Sequence, residues 1–237
     1  NNTVNSTNLV KIASRYGVKN FIFSSTAAVY GEPNILDTND NITEENKTEP
    51  INPYGHSKLM IEKVLVDESR VNKNLNFCIL RYFNVAGADL ENDIPIIGES
   101  HNPETHLVPL VAKTALGKGK NFTIFGDDYV TLDGTCIRDY IHVDDLASAH
   151  IAALEYLKKN KSNIFNCGYG HGYSVKEVVE MIKKISGNDF EVKIINRREG
   201  DPARLVANNK KILQLMKWEP QYDNLELICK SALTWEK

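Results

Sequence analysis

Tyr54 and Lys58 lie four positions apart in the segment YGHSK, near the start of a helical pattern over residues 53–73. This spacing places both side chains on one face of a helix. An ammonium group beside a phenol favours the phenolate, so the pKa of Tyr54 is expected to fall toward the working pH. The pair predicts a general base, although Tyr-x-x-x-Lys alone is common and also fits an ordinary surface pair.

A second group of polar side chains follows the apolar run KNFIFS at residues 19–24, which predicts a buried strand. Ser24, Ser25 and Thr26 stand where this strand ends. In an open parallel sheet, ligands bind outside the carboxyl ends of the strands, so these hydroxyls could bond a substrate oxygen. Serine and threonine also mark strand ends without any binding role, and the segment alone leaves both readings open.

The elements that would position these side chains alternate along the first part of the chain. Residues 3–16 have helical periodicity, and Gly17 is placed to end that helix. Residues 31–52 are rich in loop-forming residues, and residues 76–82 predict a second buried strand. The order of these elements predicts a parallel sheet covered by helices. One face of the first helix is expected to carry Val4, Leu9, Ile12 and Ala13.

Beyond residue 88 the pattern becomes less regular, with longer loops and shorter strands. This pattern of long loops and short strands predicts a smaller α/β domain, and some of its segments are expected to return to the first sheet. The expected helices and strands cover residues 107–117, 122–125, 144–160, 163–167, 174–186, 190–195 and 223–236.

Composition excludes several classes of partner. The formal net charge of -3 carries no basic signature for nucleic acid. No apolar run approaches the ~18 residues of a membrane span, so no membrane partner is expected. The four cysteines are scattered without a Cys-x-x-Cys pair. We therefore expect no metal site and a reducing, cytoplasmic compartment.

Several long motifs follow one another in an order that resembles the extended short-chain dehydrogenase/reductases, and among them the nucleotide-sugar 4-epimerases. After the Ser/Thr strand end and Tyr-x-x-x-Lys come RYFNVAGA, IFGDDYVTLDGTCIRDYIHVDDLA and RREGDPARLVA. The resemblance covers essentially the whole chain. It implies a Rossmann-like, doubly wound parallel sheet whose N-terminal strands are missing. Residues 1–88 would be the remaining part of the NAD-binding domain, and residues 89–237 mainly the nucleotide-sugar-binding domain.

The resemblance also implies a reaction, a cofactor and an assembly. The reaction is reversible 4-epimerisation of UDP-glucose and UDP-galactose through a 4-keto sugar, with bound NAD and a homodimer. Tyr54 would be the base, Lys58 would hold the nicotinamide ribose and tune Tyr54, and Thr26 would bond the sugar 4-oxygen. The implied cofactor residues are Asn2, Ser24, Tyr54, Lys58, Tyr82 and Phe83. The implied substrate residues are Thr26, Asn84, His106, Phe125, Arg138, Tyr140, Arg198, Asp201 and Leu205.

Three departures from the family pattern bear on these expectations. His106 stands where many relatives have asparagine. Leu205 stands where a tyrosine favours UDP-glucose and UDP-galactose, so UDP-N-acetylglucosamine and UDP-N-acetylgalactosamine are possible substrates. No Gly-x-Gly-x-x-Gly segment is found in the sequence. We therefore expect the chain to be a fragment that lacks the phosphate half of its cofactor site and is inactive alone.

Two alternatives from other functional classes remain. A nucleotide-sugar 4,6-dehydratase shares the fold and the Tyr/Lys pair, but it places Asp-Glu after the active-site threonine. This chain has Ala27 and Ala28 there, which cannot transfer protons. A non-catalytic dinucleotide-binding sensor could use the same fold, but it would not need the base that Tyr54 and Lys58 provide.

Overall fold

The computed structural model describes residues 2–33, 41–89, 97–119 and 121–237. The helices are α1 (Asn2–Arg15), α2 (Pro53–Val71), α3 (Leu107–Ala115), α4 (Val143–Leu157), α5 (Val175–Ser186), α6 (Lys210–Met216) and α7 (Leu225–Trp235). The strands are β1 (Asn20–Thr26), β2 (Asn76–Tyr82), β3 (Asn84–Ala86), β4 (Phe122–Phe125), β5 (Ile137–Arg138), β6 (Tyr140–His142), β7 (Asn163–Cys167), β8 (Tyr173–Ser174), β9 (Val192–Ile195) and β10 (Arg204–Leu205). Within the described ranges, no helix combines the length and the apolar character needed to cross a bilayer.

The chain divides into two compact units. The first contains residues 1–83, 148–170 and 207–219, and the second contains residues 84–147, 171–206 and 220–237. The assignment of cofactor binding to residues 1–88 and of substrate binding to residues 89–237 stays a prediction.

The first unit is built on a parallel sheet with the strand order β1-β2-β7. Strands β1 and β2 run in parallel from the pair Asn20↔Asn76 to the pair Thr26↔Tyr82. Helix α2 makes the crossover between them, as a parallel connection requires. The prediction of an α/β fold with a parallel sheet is therefore confirmed, and the arrangement is Rossmann-like.

Helix α2 begins where its sequence provides a start signal. The side chain of Asn52 accepts a hydrogen bond from the main-chain N–H of Gly55 at 2.8 Å, and Pro53 occupies the first turn. Further along, Ile61 and Leu65 are fully or almost fully buried one turn apart. They pack in a core with Val10, Phe23, Leu75, Phe77 and Ile79.

The expected apolar face of α1 is largely wrong. Val4, Leu9 and Ile12 are 54–66% exposed, whereas Val10 and Ala13 are buried. The rotation of 100° per residue turns Val10 toward the core that α2 shares, and the three larger side chains lie outside it. The predicted end of the helix is confirmed, because Gly17 follows it with a φ of 77°.

Two boundaries in the first unit differ from the prediction. Strand β1 continues two residues beyond Ser24 and ends at Thr26. The expected loop over residues 31–52 includes Ile42, which is fully buried and forms an isolated parallel bridge to Ala207. Residues 34–40 of that loop lie outside the described residues.

The second unit contains small sheets with helices packed among them. The sheets pair β3 with β6, β4 with β9, and β5 with both β10 and β8. Strands of two or three residues, such as β3 and β10, were not expected, because they are too short to show a periodicity. Helix α5 begins at a capping box formed by Ser174 and Glu177, and Gly187 ends it in the left-handed conformation.

Candidate active site

The first turns of α2 carry Tyr54 and Lys58 on one face, as the spacing predicts. The Nζ atom of Lys58 lies 5.8 Å from the centroid of the Tyr54 ring and donates a hydrogen bond to the Ser24 carbonyl at 2.8 Å. Tyr54 is 46% exposed, so a ligand can reach it. A Cβ atom at Gly55 would lie 2.4 Å from the Ala28 carbonyl oxygen, so the close approach of α2 to the turn that follows β1 requires glycine.

Thr26 stands at the carboxyl end of β1 and connects the strand to the next turn. Its hydroxyl accepts a hydrogen bond from the main-chain N–H of Ala28 at 3.1 Å, which caps the 3₁₀ helix Ala27–Tyr30. The Thr26 side chain is also near enough to Tyr54 to lower the pKa of its phenol. The strand end and the helix therefore bring together the two hydroxyl groups that the sequence singled out.

The expected low pKa of Tyr54 is wrong for this structure. Partial burial of the phenol raises its pKa, and the nearby Thr26 side chain offsets only part of that rise. Burial also lowers the pKa of Lys58. The physical reason is that the Lys58 ammonium is directed at the Ser24 carbonyl rather than at the phenolic oxygen.

Ser24 has a second contact that the sequence did not reveal. Its hydroxyl lies 2.8 Å from Nε2 of His150, which is on α4. Nothing in the spacing of residues 24 and 150 predicts this contact, because it depends on how α4 returns to the first unit.

The other expected cofactor residues lie at the ends of their elements. Tyr82 ends β2, and burial raises its pKa to about 12. Phe83 is buried, and its main-chain N–H donates to the Cys167 carbonyl at 3.2 Å. That N–H is therefore engaged in the sheet. Asn2 is the first residue of α1 and is exposed.

In the second unit, Arg138 and Asp201 form an ion pair. Arg138 lies on β5 and is 7% exposed, and its Nη1 atom also donates to the Ile137 carbonyl at 2.8 Å. The pair brings together residues that are far apart in the sequence. A largely buried guanidinium with a fixed direction is suited to bind an anionic group.

Two consecutive arginines cover two aromatic rings in this unit. The Arg198 guanidinium lies 4.1 Å from the centroid of Phe125, and that of Arg197 lies 4.2 Å from the centroid of Tyr129. The expected stacking face of Phe125 is thus occupied by a cation. Tyr129 was not predicted, and its buried hydroxyl has no hydrogen-bond partner among the described residues. Tyr129 lies in the same sequence motif as Phe125, and this proximity in the sequence could have indicated it as a site residue.

Asn84, Tyr140 and Leu205 lie on short strands of the second unit. Asn84 on β3 is exposed and is paired in register with Tyr140 on β6, which is 3% exposed. Leu205 on β10 is 8% exposed and is paired in register with Arg138. Residues in register on paired strands present their side chains to the same face, so Leu205 and Arg138 share one face of that sheet.

His106 precedes α3 in a cluster of imidazoles and carboxylates. Its Nδ1 atom lies 2.5 Å from Oε1 of Glu99 and 2.9 Å from Oε1 of Glu104. These carboxylates raise the pKa of His106 to about 9. Glu99, His101 and His106 are close enough to hold a metal ion, and the expectation of no metal site stays a prediction. Without a metal ion, protonated His106 explains these contacts, because its Nδ1–H can form ion pairs with Glu99 and Glu104.

Residues 1–168 match the family model described as "NAD dependent epimerase/dehydratase family". A UDP-glucose 4-epimerase from Halalkalibacterium halodurans is 46% identical over 238 aligned residues, which cover 100% of this chain and 69% of that protein.

Two solved structures resemble the chain closely. The UDP-Glc/GlcNAc 4-epimerase from the human pathogen Campylobacter jejuni is 55% identical, with a TM-score of 0.81. The match covers 100% of this chain and 70% of that one. The UDP-glucose 4-epimerase from Bifidobacterium longum, solved in complex with NAD+ and UDP, is 38% identical, with a TM-score of 0.90. There the match covers 99% of this chain and 68% of that one.

Proposed function

Because this chain belongs to the NAD dependent epimerase/dehydratase family, and within it to the UDP-glucose 4-epimerases, we propose that the protein interconverts UDP-glucose and UDP-galactose. The observation that carries this proposal is the placement of Thr26 and Tyr54 together at the carboxyl end of β1, where the Thr26 side chain lowers the pKa of the Tyr54 phenol. Lys58 is anchored one turn further along the same helix. These three groups are the ones needed to remove and return a proton at a sugar hydroxyl.

The proposed mechanism begins with proton transfer. Tyr54 takes the proton from the sugar 4-hydroxyl, and Thr26 holds the same oxygen in place. Bound NAD would supply the acceptor for the C4 hydride, so that the product of this step would be a 4-keto sugar, which turns in the site before the hydride and the proton return. Burial raises the pKa of Tyr54, so the phenol needs a nearby positive charge to act as a base at neutral pH. Lys58 is the nearest candidate in the sequence and in space.

The donor set of the first unit fits a nicotinamide nucleotide. The Lys58 ammonium and the Tyr54 hydroxyl both stand at the carboxyl end of a parallel strand, and their hydrogens suit the hydroxyls of a ribose. Ser24, the exposed Asn2 and the backbone of Tyr82 and Phe83 would line the part of the site that binds the nicotinamide. When bound, NAD would supply the reversible acceptance of a hydride, which none of these side chains can provide.

We assign binding of the uridine diphosphate to the second unit. Arg138 and Arg198 supply guanidinium groups that can bind phosphate oxygens in a fork. Movement of Arg198 onto a phosphate would free the face of Phe125 for the base. Asp201 can accept a hydrogen bond from the ribose, and protonated His106 adds positive charge. The remaining residues that we propose to contact the nucleotide sugar are Asn84, Tyr140 and Leu205.

We extend the proposal to the N-acetyl sugars because of Leu205. The similar enzyme from Campylobacter jejuni is named for both UDP-Glc and GlcNAc. Leucine is smaller than tyrosine, so it leaves more room beside the substituent at C2 of the sugar. Its place on the same sheet face as Arg138 supports a role near the nucleotide sugar.

A homodimer and a cytoplasmic location are also part of the proposal. Leu9, Ile12 and Tyr16 are 54–79% exposed on and just after α1, and a second copy of the chain could cover such side chains. The four cysteines are all free and buried, which is compatible with a reducing compartment. Light scattering coupled to size-exclusion chromatography would test the dimer, and a monomer at micromolar concentration would refute it.

Incubation of the full-length protein with UDP-galactose tests the proposed function. Proton NMR should show UDP-glucose forming until both sugars reach equilibrium, without net formation of NADH. A 4-keto-6-deoxy sugar as the only product would instead establish the dehydratase. Absence of any sugar conversion, together with retained nucleotide binding, would favour the sensor.

A further inference from the structure

A buried polar network connects the elements that carry Tyr54 and Thr26. Its centre is the ion pair between Glu62 on α2 and Arg81 on β2. Arg81 donates from Nη2 to Oε2 at 2.6 Å and from Nε to Oε1 at 3.0 Å. Ser25 on β1 donates to the same carboxylate at 2.5 Å. Ser25, Glu62 and Arg81 are at most 5% exposed, so water does not compete for these bonds.

The network continues to the third strand of the sheet. Arg81 donates from Nη1 to the Tyr30 hydroxyl at 3.0 Å, and that hydroxyl donates to Asn166 on β7 at 2.6 Å. The amide of Asn166 donates in turn to the Ile42 carbonyl at 2.7 Å. The buried charges and hydroxyls therefore all have partners, and the bonds run from α2 across β1 and β2 to β7.

The centre of the network lies beside the catalytic groups. Glu62 follows Lys58 by one helical turn and Tyr54 by two, so the three side chains lie along one face of α2. Ser25 stands between the two site residues of β1 and is paired in register with Arg81. Any shift of α2 along β1 would therefore break the network and displace the base together.

Stability alone does not account for such a network. A buried ion pair can often be replaced by apolar side chains of similar size without loss of stability. A bidentate pair between a guanidinium and a carboxylate does, however, permit only one geometry. Slippage of a helix by one residue moves its side chains by ~1.5 Å. A misplacement of about 1 Å can cost on the order of 10²-fold in rate.

We propose that Glu62 is a positioning residue for the reaction. Through Arg81 and Ser25 it fixes the register of α2 against β1. That register holds the phenol of Tyr54 at the hydroxyl of Thr26. The inference rests on the proposed function for the identity of the reaction, whereas the register can be tested without turnover.

The first test is Glu62→Gln in the full-length protein. We expect kcat to fall at least about tenfold, with KM for the UDP-sugar within about twofold of the parent value. The acid limb of the kcat profile should move to higher pH, because displacement of α2 takes Tyr54 away from the Thr26 side chain that lowers its pKa. Glu68→Gln is the matched control. Glu68 is on the same helix but accepts from Ser14 at 2.6 Å, and its loss should leave the profile unchanged.

The double variant Glu62→Met with Arg81→Met separates positioning from stability. The single variant leaves the charge of Arg81 buried without a carboxylate to balance it, so its Tm should fall. The double variant removes both charges, so its Tm should recover while kcat and the pH profile remain altered. Recovery of the parent pH profile along with the Tm would overturn the proposal.

A titration of Tyr54 makes the test independent of turnover. With ¹³C-labelled tyrosine, NMR follows each phenol, and Tyr54→Phe identifies the resonance. The Tyr54 resonance should titrate at higher pH in Glu62→Gln than in the parent. An unchanged titration overturns the positioning role. A shifted titration in a protein that fails to epimerise UDP-galactose would uphold the positioning role and refute the proposed function instead.

Discussion

The ammonium of Lys58 is bonded to the main-chain carbonyl of Ser24 at 2.8 Å and not to the side chain that it was expected to activate. The bond ties α2 to β1 just before the strand ends. It also holds a cation near the end of the sheet, where burial lowers the pKa of Lys58. Lys58 thus has a structural partner in this structure, and its ammonium retains two further N–H donors for a ribose or a phenolate.

Replacement of Lys58 by methionine removes the cation and keeps most of the apolar stem. We expect kcat to fall on the order of 10²-fold, because the general base loses its nearest positive charge. Affinity for NAD should fall as well, because a donor to the ribose is lost. Steady-state kinetics and calorimetry on the full-length protein would measure both. Lys63→Met, at an exposed position of the same helix, should change neither quantity.

Tyr54→Phe removes one hydroxyl and keeps the ring. Loss of a general base typically costs about 10²–10⁴-fold, so kcat should fall within that range. Binding of UDP should persist, because the residues that we assign to the nucleotide lie in the second unit. Tyr156→Phe is the control, because it removes a hydroxyl on α4 that accepts a hydrogen bond from Asn163 at 3.1 Å. A Tyr54→Phe variant within a fewfold of the parent rate would show that another group is the base.

The fold could be predicted where the sequence pattern was long enough. Strand β2 was predicted at its observed bounds, because the apolar run FCIL with a tyrosine close behind it gives a clear signal. Strands β3 and β10 have three and two residues, and their pairing depends on distant partners, so no local pattern indicates them. The apolar face of α1 was wrong, because burial of Val10 depends on the core that α2 completes.

In the candidate site too, local spacing could be predicted, whereas contacts that depend on tertiary packing could not. The spacing of Tyr54 and Lys58 predicted a shared helical face, which the structure confirms. The direction of the Lys58 ammonium depends on how closely α2 approaches β1, and the sequence does not contain that distance. For the same reason, the pairing of Glu62 with Arg81 was not foreseen, although both residues stand near predicted site residues.

The charge of His106 predicts a pH dependence of nucleotide binding. Glu99 and Glu104 raise its pKa to about 9, above the ordinary value of ~6.5. The linked stability is therefore fully present below pH ~6.5 and is lost as the pH rises through about 9. Over the same range, UDP should bind more weakly, because the imidazolium loses its charge. Calorimetric titration of the full-length protein with UDP at several pH values would measure this.

Substitution provides the control for that pH dependence. His106→Gln should bind UDP more weakly at neutral pH and should lose the weakening toward pH 9. His171→Gln removes another histidine of the same unit, which pairs with Asp223 at 2.7 Å, and should keep the parent profile. If His106→Gln and the parent show the same profile, another group titrates, and the assignment of His106 to the nucleotide fails.

Leu205 occupies a position where size can select the sugar. The residue is 8% exposed on β10, so a larger side chain must displace its neighbours or fill adjacent space. Its register partner is Arg138, which we assign to the diphosphate. A side chain at this position can therefore act by excluding a substituent, and clashes in a packed site cost about 1–3 kcal/mol.

Leu205→Tyr should lower kcat/KM for UDP-N-acetylglucosamine more than for UDP-galactose. A difference of about 1–3 kcal/mol corresponds to a change of roughly 5- to 150-fold in the ratio of the two values. Steady-state assays of both substrates would measure that ratio, and the Tm would show whether the variant folds. Leu215→Tyr, at a position that is 50% exposed on α6, should leave the ratio unchanged. If the parent does not act on the N-acetyl sugar, or if a folded Leu205→Tyr keeps the parent ratio, Leu205 does not select the sugar.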